Sequence, residues 1–119
     1  MTIQKFEDII AWQKGQDFAY EIYRAFGEVK DYGFKDQICR AAVSVSNNIA
    51  EGFERSSDAD FSRFLYISLG STSEAKSMLY LALRLDYITE EQKTLLIEAA
   101  NEISKITRGF IKSLESKKY

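Results

Sequence analysis

The chain contains no proline in 119 residues. Average usage of about 5% would give roughly six prolines in a chain of this length. Each would end or kink a helix, because proline lacks the backbone N–H that a helix needs. Apolar residues also recur at intervals of three and four, the spacing that places them on one side of a helix. Together these two features favour long, uninterrupted helices.

Polar and glycine-containing breaks divide the sequence into four helical segments. Ser57 is suited to capping the third segment, and Thr89 with Gln92 forms a capping-box pattern before the fourth. Short connections make consecutive helices antiparallel neighbours. The sequence therefore predicts an all-α fold, an antiparallel up-down-up-down four-helix bundle forming one domain over residues 1–119, with helices at about 6–28, 34–53, 58–84 and 90–115.

The composition removes several kinds of catalytic and metal site. The chain has no histidine and a single cysteine, Cys39, which rules out a histidine-dependent triad, a Cys–His dyad, histidine-ligated zinc and an intrachain disulfide. The carboxylates of Glu51, Asp60 and Glu74 have no spacing diagnostic of a reaction, and no glycine loop suited to phosphate occurs. We therefore predict a protein that is not an enzyme, with no cofactor, no bound metal and no small-molecule substrate.

Charge and hydropathy argue against a membrane and against indiscriminate binding to phosphate backbones. The 16 Lys and Arg residues are outnumbered by 18 Asp and Glu, for a formal net charge of −2, and the pI is about 5.2. Glu7 and Asp8 interrupt the region where a signal peptide needs a basic and then an apolar stretch. No run approaches the ~20 apolar residues of a membrane span. A cytoplasmic protein without a membrane partner is expected.

The fourth helical segment is a local exception to this acidic balance. Its basic residues lie opposite the apolar stripe and continue toward the end of the sequence. The candidate nucleic-acid surface consists of Lys105, Arg108, Lys112, Lys117 and Lys118. The alternative is an ordinary solvated face, because cations near a helix C-terminus complement the backbone dipole in any protein.

Apolar residues cover wider arcs of the first three helices than one bundle core needs. On the second helix the arc includes Cys39, which is expected to pack as a small apolar side chain. Burial of apolar surface favours self-association, so a homo-oligomer is predicted. The candidate interface residues are Phe18, Ile22, Ile67, Met78 and Leu81. The alternative is a short bundle of twisted helices that buries broad faces within one copy.

The strongly polar residues of the second helix share one strip. At 100° per residue, Gln37, Arg40, Ser44, Asn47, Asn48, Glu51 and Arg55 fall together. Antiparallel pairing with the third helix places Arg40 opposite Ser71 and Glu74, and Gln37 near Glu74. An ion pair between Arg40 and Glu74 is the prediction, because buried charges need partners.

Three stretches carry a resemblance to a known family. These are Trp12-Gln13-Lys14, the pattern from Tyr32 to Gly52 that ends in the NIAEG sequence of Asn48 to Gly52, and Gly70-Ser71-x-x-Glu74-Ala75. They resemble the bacterial four-helix-bundle proteins often encoded in intervening sequences of 23S ribosomal RNA genes. That family is similar to the accessory proteins of diversity-generating retroelements, which assemble as pentameric barrels.

The resemblance implies a five-fold ring and no enzymatic activity. By position it points to Gln37, Arg40, Asn48, Glu51, Ser71 and Glu74, either as a structural polar network between helices or as a site for a ligand or partner. The functional hypothesis is a non-enzymatic homo-oligomeric helical scaffold that associates with RNA or a ribonucleoprotein. The alternative is a purely protein-binding or self-assembling module without nucleic-acid contact.

Overall fold

Four α-helices make up the computed structural model, which describes residues 3–116. They are α1 (Ile10–Ala25), α2 (Tyr32–Phe53), α3 (Asp58–Arg84) and α4 (Glu90–Ser116), preceded by a short 3-10 helix at Phe6–Asp8. The described part of the chain contains no strand. The all-α, four-helix prediction is confirmed. None of these helices is both long and apolar enough to cross a membrane.

The contacts between α2 and α3 pair the start of one helix with the later part of the other, as expected for antiparallel neighbours. At one end of the α2–α3 pair, Gln37 hydrogen-bonds to Glu74. At the other end, the backbone at Gly52 lies against Phe61 and Phe64. Each helix packs on two others in the order α1–α2–α3–α4–α1, and no diagonal pair is in contact within residues 3–116. The result is an elongated bundle of 49 × 20 × 19 Å.

Capping residues explain where three of the helices begin. The Asp31 carboxylate accepts the backbone N–H of Phe34 at 3.2 Å, so α2 starts at Tyr32, two residues before the predicted position. Ser57 accepts the N–H of Asp60 at 3.1 Å. Thr89 and Gln92 exchange hydrogen bonds of 2.8 and 3.1 Å. The predicted cap and the predicted capping box are both present.

The first helix is shorter than the predicted span of 6–28. Ile9 is in an extended conformation, with φ −78° and ψ 121°, and separates the 3-10 helix from α1. This break lets the Ile9 side chain enter the core while Phe6 packs edge-on against Trp12, with ring centroids 5.2 Å apart. At its other end α1 stops at Ala25, before the buried Phe26.

The core consists of two clusters at opposite ends of the bundle. Cluster A contains buried residues from all four helices, among them Phe18, Ile22, Ile38, Leu79 and Ile103. Cluster B gathers Ile9, Ile49, Phe61, Leu65, Ile111 and Leu114 with their neighbours. Between the two clusters, α1 and α2 lie close together. A methyl group added to Gly15 would lie only 3.2 Å from the Ser46 Cβ.

Candidate interaction surfaces

Ser44 is the centre of a hydrogen-bonded group on the polar strip between α2 and α3. The Ser71 hydroxyl donates to the Ser44 hydroxyl at 2.8 Å. The Asn48 amide donates to the same hydroxyl and to the Ser44 carbonyl oxygen, both at 2.8 Å. Asn48 and Ser71, two of the six predicted network residues, are therefore joined through Ser44. Ser44 belonged to the strip found from helical periodicity, but it was not among the six residues of the predicted network.

The predicted ion pair between Arg40 and Glu74 is wrong. Glu74 instead accepts a hydrogen bond from the Gln37 amide at 3.3 Å, and no pair between Arg40 and Glu74 occurs within residues 3–116. Three residues advance a helix by about 300°, so Arg40 is turned about 60° from Gln37, away from α3. The Arg40 side chain is exposed to solvent.

Glu51, the last of the six, forms a separate local contact. Its carboxylate pairs with Arg55 at 2.9 Å, one turn further along the chain. The Arg55 guanidinium also lies 4.6 Å from the ring centroid of Phe64. Five of the six residues thus divide between the Ser44 group, the Gln37–Glu74 bond and the Glu51–Arg55 pair, while Arg40 joins none of these contacts, so the six do not form one continuous network within the described chain.

The candidate oligomer interface is divided between the core and the surface. Phe18 and Ile22 are 2% and 0% exposed and belong to cluster A, so their assignment to a subunit interface is wrong. They are buried because α1 packs on both α2 and α4, which together cover a wide arc. Met78 is half-buried against the same cluster. Ile67 and Leu81 remain 42% and 48% exposed on α3.

A basic face lies on the C-terminal half of α4. Lys105, Arg108 and Lys112 are exposed, and none of them forms an ion pair with another described residue. Gly109 lies among them, and a methyl group added there would have no atom within 4 Å. We call these four residues the α4 basic face. Lys117 and Lys118 of the predicted surface lie outside the described residues.

Nearer its N-terminus, α4 also borders a groove with α1. This α1/α4 groove has a volume of about 450 Å³ and an apolar floor that includes Phe18, Leu96 and Ile103. Lys14 and Glu102 form an ion pair across it at 3.4 Å. Asp17 and Glu21 also line it, as does Leu95, which is 61% exposed.

The single thiol of the chain is buried. Burial raises the pKa of the Cys39 thiol, which keeps it protonated and a poor nucleophile. Among residues 3–116 no three His, Cys, Asp or Glu side chains are placed to hold a metal ion.

A hydrogen bond joins two turns at one end of the bundle. Asp86 has φ 61° just after α3, and the next residue, Tyr87, donates its N–H to Ala82 at 2.9 Å, which closes a Schellman motif. The Tyr87 hydroxyl then donates to Asp31 at 2.7 Å. This bond, with the N–H of Phe34, lowers the pKa of Asp31, and the same bond raises the pKa of Tyr87.

We expect this bond to stabilise the fold only while Asp31 is ionised and Tyr87 is protonated. A lowered carboxyl pKa gives stability that is present above the unfolded-state value of about 4 and lost as pH falls through the folded-state value. A raised phenol pKa gives stability that is present below about pH 10 and lost as pH rises further. Tyr87→Phe should therefore lower the thermal midpoint at pH 6, and the difference from the original chain should shrink in acid.

The matched control is Tyr32→Phe, which changes an exposed tyrosine near the same end of the bundle. Thermal unfolding followed by circular dichroism from pH 2 to pH 8 checks the expectation. A Tyr87→Phe effect of constant size across that range would contradict the assigned role of Asp31.

Comparison with known proteins agrees with this fold. The family model described as 23S rRNA-intervening sequence protein matches residues 7–109. A solved structure from Bacteroides thetaiotaomicron, described as a protein with unknown function from the S23 ribosomal protein family, is 33% identical with a TM-score of 0.81. The match covers 87% of this chain and 99% of that chain. A search of curated proteins found no match. The chain therefore belongs to the family of 23S rRNA-intervening sequence proteins.

Proposed function

We propose that the protein is a non-enzymatic, cytoplasmic helical scaffold that assembles from identical copies. The observation that carries this proposal is the exposure of large apolar and aromatic side chains. At least one such side chain on every helix is 42% exposed or more, and the set includes Tyr20, Tyr32, Ile67, Leu81 and Leu95. Covering this surface contributes about 25 cal/mol for each Å² of apolar area. The missing histidine and the buried Cys39 thiol support a role without catalysis.

Within this proposal, Ile67 and Leu81 on the outer side of α3 lie in a contact between copies. The five-fold ring implied by the family resemblance is the proposed form of the assembly. Ring assemblies repeat one contact between neighbouring copies until the ring closes. The surfaces of several copies would then combine to contact a larger partner.

Light scattering measures the mass in solution and tests the assembly directly. At micromolar concentration we expect the mass of several copies, and a double variant, Ile67→Glu with Leu81→Glu, should reduce it. The matched control is Ser73→Glu with Ser77→Glu, which adds the same charge at exposed polar positions of the same helix. A monomeric original chain would overturn the proposal.

RNA or a ribonucleoprotein is the candidate partner. The family description, which refers to 23S rRNA-intervening sequences, and the exposed cations Lys105, Arg108 and Lys112 support this second step. A protein that neutralises several phosphates loses affinity steeply as salt rises. Retention of a structured RNA should therefore be strong at low salt and should fall when the three cations are changed to Gln.

A random RNA of equal length serves as the reference ligand in that experiment. If neither RNA is retained at low salt, the nucleic-acid step is overturned. The remaining function is then the alternative, a protein-binding or self-assembling module without nucleic-acid contact.

A further inference from the structure

We propose that the α4 basic face of one copy docks into the α1/α4 groove of a second copy, in a head-to-tail contact. This inference rests on the proposed self-assembly and adds a further pair of surfaces to the contact at Ile67 and Leu81. The groove lies on the side of α4 that faces α1, over residues 92–103, and the basic face lies further along the same helix, on the side turned away from the core, so one copy can offer each surface to a different neighbour. Contacts between two different patches propagate in one direction and close into rings when the rotation allows.

The charges of the groove favour a basic partner. Its lining carboxylates, Asp17, Glu21 and Glu102, outnumber its two cations, Lys14 and Arg24, and Lys14 already pairs with Glu102 at 3.4 Å. The lining carboxylates of Asp17 and Glu21 form no ion pair with a described residue. An approaching helix therefore meets two carboxylates that are available for pairing.

The charges of the basic face repeat at the same interval as those carboxylates. Asp17 and Glu21 are four residues apart on α1, and Arg108 and Lys112 are four residues apart on α4. Four residues span about 6 Å of helix axis. When α4 of one copy lies along α1 of the next, both pairs can form together, and opposite charges at matching positions fix the register of the contact.

Gly109 gives the contact a place for close approach. An exposed glycine inside a helix lowers stability relative to alanine, and no described residue lies where a Cβ on Gly109 would be. The Leu95 side chain, 61% exposed beside the groove, supplies an apolar group from the neighbouring copy. A small position opposite a protruding leucine lets two helices pack closely.

A second copy fits the α4 basic face better than RNA does. The complementary acidic positions are present on the same chain, whereas the formal net charge of −2 opposes attraction of a polyanion. The proposed assembly and the proposed RNA contact use the same face, so a second copy and RNA compete for it.

Charge reversal tests the contact. One variant carries Asp17→Lys and Glu21→Lys, a second carries Arg108→Glu and Lys112→Glu, and a third combines all four changes. Because like charges then face each other, we expect each double variant to assemble at least about tenfold more weakly in sedimentation or light-scattering measurements. The combined variant restores opposite charges and should recover the original mass.

Gly109→Ala provides a second measurement on a chain that keeps its charges. It should raise the thermal midpoint of the dissociated chain and weaken assembly, whereas Gly70→Ala, at the other glycine with no atom near its absent Cβ, should raise the midpoint alone. Circular dichroism checks that each variant is folded.

Three results would overturn the contact. These are an unchanged mass in both double variants, a combined variant that stays dissociated, and loss of RNA retention in the Arg108→Glu, Lys112→Glu variant without loss of mass. In each case the original chain still assembles, so the scaffold proposal survives. A monomeric original chain would instead remove both proposals.

Discussion

Replacing Gly52 by alanine is expected to destabilise the bundle by about 1–3 kcal/mol, the usual penalty for overpacking a core. The new Cβ would lie 2.6 Å from the Cβ of Phe64 and 3.0 Å from a ring carbon of Phe61. A Cβ moves only with its backbone, so α2 and α3 would have to separate. Elsewhere in a helix the same change is stabilising, because alanine has the higher helix propensity.

Gly70→Ala is the matched control for Gly52→Ala. Both glycines lie inside helices, but a methyl group on Gly70 would have no atom within 4 Å. We expect Gly70→Ala to raise the free energy of unfolding by about 0.5–1 kcal/mol. Urea titration of both variants measures the two effects. Equal changes of the same sign in the free energy of unfolding would show that the close packing of α2 and α3 at Gly52 does not exclude a larger residue there.

Phe18→Ala is expected to reduce the free energy of unfolding by about 3–5 kcal/mol, the range measured for large aromatic truncations in cores. The ring is 2% exposed and is one of the largest side chains in cluster A. Removing it deletes buried apolar area and leaves a cavity that the surrounding helices fill only in part. Phe18→Leu, which keeps most of the volume, should have a smaller effect.

Protein concentration distinguishes a core role for Phe18 from an interface role. The loss from a core residue is the same at all concentrations, whereas the loss from an interface residue depends on the fraction of assembled chains. Denaturant midpoints over a hundredfold range of concentration make the comparison. A Phe18→Ala effect that grows with protein concentration would show that Phe18 lies in an interface between copies.

Helix positions were largely predictable because they depend on local signals. The 3–4 spacing of apolar residues, the Ser57 cap and the Thr89–Gln92 capping box act over one or two turns. The start of α1 was less predictable, since Ile9 leaves the helical conformation to bury its side chain among residues distant in sequence. The spacing of apolar residues in the sequence does not indicate that long-range contact.

Surface and core positions on α1 required the packed structure. Periodicity gives the width of an apolar arc, but the number of neighbouring helices decides how much of the arc is covered. Phe18 and Ile22 lie where α1 meets both α2 and α4 and are covered. Ile67 lies outside the corresponding contact on α3. Only the arrangement of helices separates these cases.

The polar strip illustrates the same limit for side-chain partners. The register of α2 against α3 was close enough to predict that Glu74 faces the strip. The choice between Gln37 and Arg40 depended on a rotation of about 60°, which a helical wheel resolves only when the facing direction is known. Ser44 joined Asn48 and Ser71 because its short hydroxyl lies between them.

The division of the core into clusters A and B allows the two ends of the bundle to unfold separately. In the layer between the two clusters, Gly15 lies against Ser46, and the Ser68 hydroxyl donates to the Val45 carbonyl oxygen at 2.8 Å. Few large apolar side chains therefore connect the two clusters. Proteins open in cooperative units whose stabilities differ. Backbone amides at the two ends of the bundle should therefore exchange their hydrogens through separate partial unfolding events.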